Sequence, residues 1–216
     1  TGAETTKTYD AAGNVLTVTD DNGNTTTYQY DNMNRVIKVT DALSGVTTYT
    51  YNNAGDLLSS TNALGYTVSY TYDAYGNKLT ETDARGNTTT YTYDANGNLL
   101  TVKDALNNVT TYTYDSRNLL VSVTNAKNQT VTYGYDALGR QISVTDAKNN
   151  TVYTAYDGVG NVISVTDAKG NVISTTTYNE LNLAETVTDA AGNTTTYQYN
   201  NIGKPEIVTD SLGNRQ

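Results

Sequence analysis

The sequence predicts an all-β protein: an antiparallel meander of repeated β-hairpins, about 20 short strands, coiled as a spiral sheet or shell wall. Three observations predict it. A tyrosine recurs every 21 residues, a five-residue phrase of turn-forming type recurs every 10 or 11, and the segments between are rich in Thr, Val, Leu and Tyr. No apolar pattern of helical period competes with these.

The tyrosine series sets the repeat. Tyr9, Tyr30, Tyr51, Tyr72, Tyr93, Tyr114, Tyr135 and Tyr156 are each 21 residues apart, and Tyr178 and Tyr199 follow after steps of 22 and 21. Residues 1–216 therefore read as a single array of ten repeats without linkers, expected to belong to a longer repeat region. The extra residue lies within "AKGNVISTTTYN", where a β-bulge or a longer turn is expected.

Each repeat holds two turns and two strands. "DAAGN" places Asp10 three residues before Gly13, and "DDNGN" does the same with Asp20 and Gly23. An Asp at the first position bonds its side chain to backbone N–H groups ahead, and a Gly or Asn three residues on supplies positive φ. That is the chemistry of a hairpin with a type I turn and a G1 bulge. Asp31 with Asn34, Asp73 with Gly76, Asp94 with Gly97, Asp136 with Gly139 and Asp157 with Gly160 repeat the first corner. Among the second corners only Ser44 departs from Gly or Asn, and Gly45 follows it immediately.

Strand alternation then sorts the side chains onto two faces. Leu16 and Val18 share a face with the paired tyrosines Tyr28 and Tyr30, and Thr27 lies opposite, if the strands pair in the simple meander register. A single layer of this size cannot bury its apolar face. It must coil, close into blades or pack on further chain. A pair of repeats has the four strands of one propeller blade, so a five-bladed propeller-like closure is the alternative architecture.

Composition excludes several functions. The chain has no Cys and no His, so thiolate nucleophiles, disulfides, His-based zinc sites and Ser-His-Asp triads are absent. A net charge of -9 with 13 scattered basic residues argues against nucleic acid, and no apolar run reaches membrane-spanning length. The recurring Asp residues invite a carboxylate or calcium reading, but an Asp in every repeat is explained by its own turn. The expectation is therefore no catalytic residue, no metal and no cofactor.

"YDAAGN", "YDAYGN", "YDANGN", "YDALGR" and "YDGVGN", each followed by a Thr/Val strand and a "TDAxGN"-like turn, resemble the YD repeats of Rhs proteins. Similar repeats occur in bacterial wall-associated proteins, BC components of insect-toxin complexes and teneurins. The resemblance covers the whole chain. It departs at Asn52, Asn179 and Asn200, where Asp is typical, at Tyr153, which leaves Thr154 in a tyrosine position, and at Thr176. The resemblance implies a non-catalytic structural module. It would form part of a hollow β-shell, in a secreted or cell-surface protein, that encapsulates a C-terminal toxin or other polypeptide. Its partners would be flanking repeats and the enclosed cargo. A carbohydrate-binding surface is the alternative, since aromatic faces suit sugar rings, and the off-pattern Tyr66 and Tyr75 are the candidates for glycan contact. A self-assembling extracellular β-fibre, with repeats associating end to end, is a third reading.

Overall fold

The computed structural model describes residues 5–216, which form two compact units that divide after residue 110. Twenty strands follow one another, from β1 (Thr6–Tyr9), β2 (Val15–Thr19) and β3 (Thr25–Tyr30) through β4 (Val36–Thr40) and β5 (Val46–Tyr51) to β20 (Pro205–Thr209). In the first unit the antiparallel pairings run without interruption from β1 to β10 (Leu99–Lys103). In the second they run from β11 (Val109–Tyr114) to β20. A propeller would break the ladder after every fourth strand. Each unit crosses that point with the ladder intact, which overturns the bladed alternative.

The corners follow from local chemistry. Gly13 donates its N–H to the Asp10 carbonyl at 3.1 Å, Asp10 donates to Asn14 O at 2.9 Å, and Gly13 has φ +87°. This is a type I turn closed by a G1 bulge. Ser44 keeps the same geometry at φ +65°, although a non-Gly, non-Asn residue there is strained. Gly45 does not take over the left-handed position. It stands fifth in the corner, where most corners have Asn and where a Cβ would meet the Asp41 carboxylate.

The register is more structured than a plain meander. Thr17 faces Thr8, yet Tyr9 faces Val15, so Leu16 is left without an opposite residue. The same shift occurs at the tyrosine end of all ten first-corner hairpins among the described residues. The simple alternation holds for Val18, which faces Lys7 and Thr26, and fails at the bulge. Neither Val15 nor Leu16 differs enough in chemistry to mark this in the sequence.

A second property emerges from the ladders. Thr27 faces Thr40, and Thr40 faces Val46, so a row reaches the next repeat 19 residues on, two short of the 21-residue period. Ser69, Thr82 and Thr88 give the same step. Two residues per two strands is the slip of an eight-stranded barrel with shear eight, whose strands tilt by about 36°. The inserted residue respects this step. It is absorbed in β17 (Val172–Tyr178), where Ser174 faces Val165, Val172 faces Thr166, and Ile173 bulges between them.

Both faces are exposed to some degree, and no described residue is buried. One face pairs Tyr28 with Val39, Tyr91 with Val102 and Tyr133 with Val144. The other joins threonine hydroxyls across strands, as in Thr19 with Thr25 at 2.8 Å and Thr71 with Thr80 at 2.6 Å. Tyr153 faces Ser143 and Thr166 and is displaced onto the threonine face, while Thr154 faces Val165.

Candidate functional site

Among the described residues no single cleft gathers unusual chemistry; the repeated element is the site. At corners that pair a first-residue Asp with a fifth-residue Asn, the carboxylate accepts three hydrogen bonds. Asp10 Oδ1 takes the N–H of Ala12 at 2.9 Å and of Asn14 at 2.8 Å, and Oδ2 takes Asn14 Nδ2 at 2.9 Å. The corners at Asp20, Asp73, Asp94 and Asp157 repeat this with Asn24, Asn77, Asn98 and Asn161. Bonds from the fifth-residue side chain and the corner amides hold most of these carboxyls below the ordinary carboxylate range, Asp10 and Asp94 among them. A carboxylate so occupied stays ionised, with no proton to donate, and is a poor base and a poor metal ligand. Among the described residues no three acidic side chains gather as metal ligands would.

The fifth-residue Asn is a participant that reasoning from Asp and Gly alone passes over, although its recurrence at the end of most phrases is its signal. It also reaches outward. Asn14 Nδ2 donates to Asn34 Oδ1 at 2.9 Å, and Asn161 Nδ2 to Asn182 Oδ1 at 3.1 Å, joining successive first corners. Where Arg stands fifth the link is stronger. Arg35 pairs with Asp31 at 2.6 Å, lies 4.7 Å from the centroid of the Tyr51 ring, and donates to Asn52 O at 2.8 Å. Arg140 does the same with Asp136, Tyr156 and Asp157 O. Asn52, standing where Asp is typical, keeps its corner by reversal, its Nδ2 donating to Asp56 Oδ2 at 2.8 Å.

The tyrosine ladder has one task in every repeat for which its bond is described. Tyr30 donates its hydroxyl hydrogen to Val15 O at 2.8 Å, the carbonyl of the residue that faces Tyr9 at the bulge of the preceding repeat. β2 and β3 pair only over Thr17–Thr19 and Thr25–Thr27, so beyond Thr17 that carbonyl has no ladder partner on β3. Tyr51, Tyr72, Tyr93, Tyr135, Tyr156, Tyr178 and Tyr199 bond the equivalent carbonyls at 2.8–3.0 Å. Burial raises the hydroxyl pKa of Tyr51, Tyr72, Tyr93 and Tyr135, which keeps the donor hydrogen in place. Pro205 suits its place at the first residue of β20, opposite Tyr199.

Tyr66 and Tyr75 are placed apart. Tyr75 is 91% exposed at a first corner and lines a hollow with Leu79, Tyr91 and Tyr93. Tyr66, 58% exposed at a second corner, lines another with Val68 and Arg85. First and second corners occupy opposite rims of the sheet, so the structure does not bring these rings together. Between them Lys78 breaks the apolar face, pairing with Glu81 and lying near the Tyr70 and Tyr91 rings.

Corners, bulged hairpins and a constant slip together define a structural β-wall module built from hairpin repeats. The teneurin YD-shell family model matches residues 4–152 and the RHS repeat model residues 178–215; the chain belongs to the YD-shell family. Among solved structures, TcdB2-TccC3 without its hypervariable C-terminal region superposes with a TM-score of 0.67 at 19% identity, covering 94% of this chain and 14% of that one. The Tc holotoxin pore of Photorhabdus luminescens gives 0.65 at 18%, covering 98% and 15%. TcdB2-TccC3-Cdc42 gives 0.61 at 17%, covering 94% and 15%. These likenesses are of fold, and the chain spans about 15% of the length of the chains it matches. No match was found among curated proteins.

Proposed function

We propose that this chain is a stretch of the wall of a hollow β-shell, in a secreted or cell-surface protein, that encloses a polypeptide such as a C-terminal toxin. Its role is to separate an interior from the surroundings, and it takes no part in covalent chemistry. The observation that carries this is the slip of one residue per strand, the ratio by which sheets curve into barrels. The exposed tyrosine and aliphatic face supports the same reading, since a single layer without a buried residue gains from a partner laid against it. In this reading the ten repeats are one stretch of a longer array, and the corner and ladder residues set wall geometry.

The test is protection. In the full-length parent protein, the polypeptide that follows the repeats is expected to resist proteinase K while the wall is folded, and to be cut once mild denaturant opens it. Digestion at the rate of the isolated polypeptide under native conditions would sink the proposal.

The exposed rings of Tyr66 and Tyr75, each lining a hollow, favour carbohydrate contact as a second reading. Because they stand on opposite rims, each would hold a separate ligand. A glycan array should then lose one set of signals with Tyr75→Ala and another with Tyr66→Ala. No binding by the parent chain removes this reading.

A further inference from the structure

The third residue of each corner points away from the sheet rim, and its chemistry is not evenly distributed. On the second-corner rim of the first unit it is Asn22, Leu43, Leu64, Arg85 and Leu106, and the last four make a ridge broken by one Arg. On the first-corner rim of the second unit it is Arg117, Leu138, Val159, Leu181 and Ile202, and the last four make a second, wholly aliphatic ridge. The seven aliphatic members are between 71% and 93% exposed. The same corner position elsewhere accepts Lys127, Lys148 and Lys169, so the turn itself does not call for an apolar side chain.

We propose that these two ridges bind one another between two copies of this chain, the second-corner rim of one first unit lying along the first-corner rim of its neighbour's second unit. The spacing fits. With strands ~4.8 Å apart and a two-residue slip, equivalent residues of successive repeats stand about 12 Å apart on either rim. When the two sheets lie edge to edge with the same face forward, both ridges run in the same direction. Leu43 then meets Leu138, Leu64 meets Val159, Arg85 meets Leu181 and Leu106 meets Ile202.

Charge complementarity sets the register. Arg85 is the one base in the first ridge. Glu180, exposed beside Leu181, is the one acid at the second corner position of the second ridge. The alignment that pairs the aliphatic residues also brings Arg85 to Glu180, whereas a shift of one repeat separates them and sets an aliphatic end residue against Asn22 in one direction or Arg117 in the other. The contact is heterologous, since it joins one ridge of a copy to the other ridge of its neighbour. It differs from end-to-end strand pairing because no main-chain ladder is extended, and it holds whatever the wall encloses.

Sedimentation velocity on the 216-residue chain, over a concentration series reaching the millimolar range, tests this. The expected result is a mass average that rises above the monomer with concentration. Leu64→Lys and Leu181→Lys are each expected to abolish the rise, and circular dichroism should show both folded, because Lys already occupies this corner position in three repeats. Arg85→Glu should weaken association several-fold, and Arg85→Glu with Glu180→Arg should restore it. A monomer at every concentration, association indifferent to both leucine substitutions, or a charge swap that fails to restore it would each overturn the proposal.

Discussion

Tyr178 donates its hydroxyl hydrogen to the main-chain carbonyl of Val162 at 3.0 Å across 16 residues, where Tyr156 and Gln141 make the same bond across 15. The bond is therefore kept while the spacing is not. The insertion is taken up at Ile173, in β17, before the chain reaches the tyrosine. What the repeat maintains is the meeting of a phenol with a bulge carbonyl; a 21-residue count is the usual way of achieving it.

Deleting Ile173 should consequently be tolerated, since it returns the repeat to the length of its neighbours. Deleting Val152 from β15 (Thr151–Tyr156) should not, because a one-residue change without a bulge to absorb it sends every later side chain of the strand to the other face. Urea unfolding followed by circular dichroism separates the two. The first deletion is expected to leave stability within about 1 kcal/mol of the parent, and the second to cost several times that.

The corner glycines test conformation without contact. Gly86 has φ +83°, and a Cβ there would meet nothing within 4 Å. Gly86→Ala should therefore destabilise through backbone strain alone, by about 1 kcal/mol. Gly86→Asn should cost clearly less, since Asn107 adopts φ +66° at the equivalent corner of the next repeat. Equal losses for the two would show that something other than the left-handed backbone governs the position.

Acid should loosen the corners. Bonding from Asn98 Nδ2 first, then from the corner amides, lowers the Asp94 carboxyl below its usual range, and Asn108 and Asn24 do the same for Asp104 and Asp20. A carboxyl with a depressed pKa in the folded state adds stability above its unfolded pKa. That stability is lost as pH falls through the folded value, so stability should decline below about pH 4. Asp94→Asn removes the titrating group while Asn Oδ1 can still accept the corner amides, as Asn52 and Asn62 do. Its unfolding midpoint should change less between pH 7 and pH 3 than that of the parent.

Arg140 joins two repeats through three groups at once: the Asp136 carboxylate, the Tyr156 ring and the Asp157 carbonyl. The pair is partly exposed, so Arg140→Ala should cost only about 1 kcal/mol, summed from a screened ion pair and a cation–π contact. Arg140→Asn should recover part of this by restoring the common corner. Hydrogen exchange at the 157–161 corner should accelerate in the alanine variant more than at the 178–183 corner.

Much of the architecture was legible because its chemistry is local. Asp10, Gly13 and their counterparts act within five residues, so a corner can be read from one phrase, and the tyrosine spacing counts the hairpins directly. The bulge was not legible, because Val15 and Leu16 are both ordinary strand residues and only the register between strands distinguishes their roles. The slip was hidden for the same reason, being a relation between ladders and not a property of any segment. Tyr153 is intermediate: its displacement by one residue is visible in the sequence, and alternation alone places it on the threonine face. Ser44 showed as an exception, but the backbone keeps its place there and does not hand it to Gly45.

The slip of two residues per repeat has a mechanical consequence. Strands of five or six residues are crossed by a given hydrogen-bonded row in about three repeats, after which that row runs out at a rim and another has taken its place. No single line of bonds therefore carries tension from one end of a unit to the other. Pulling the two ends of a unit apart loads the ladder bonds of each strand pair partly in shear, because the rows run oblique to the line of pull, so resistance to rupture is shared among many short rows.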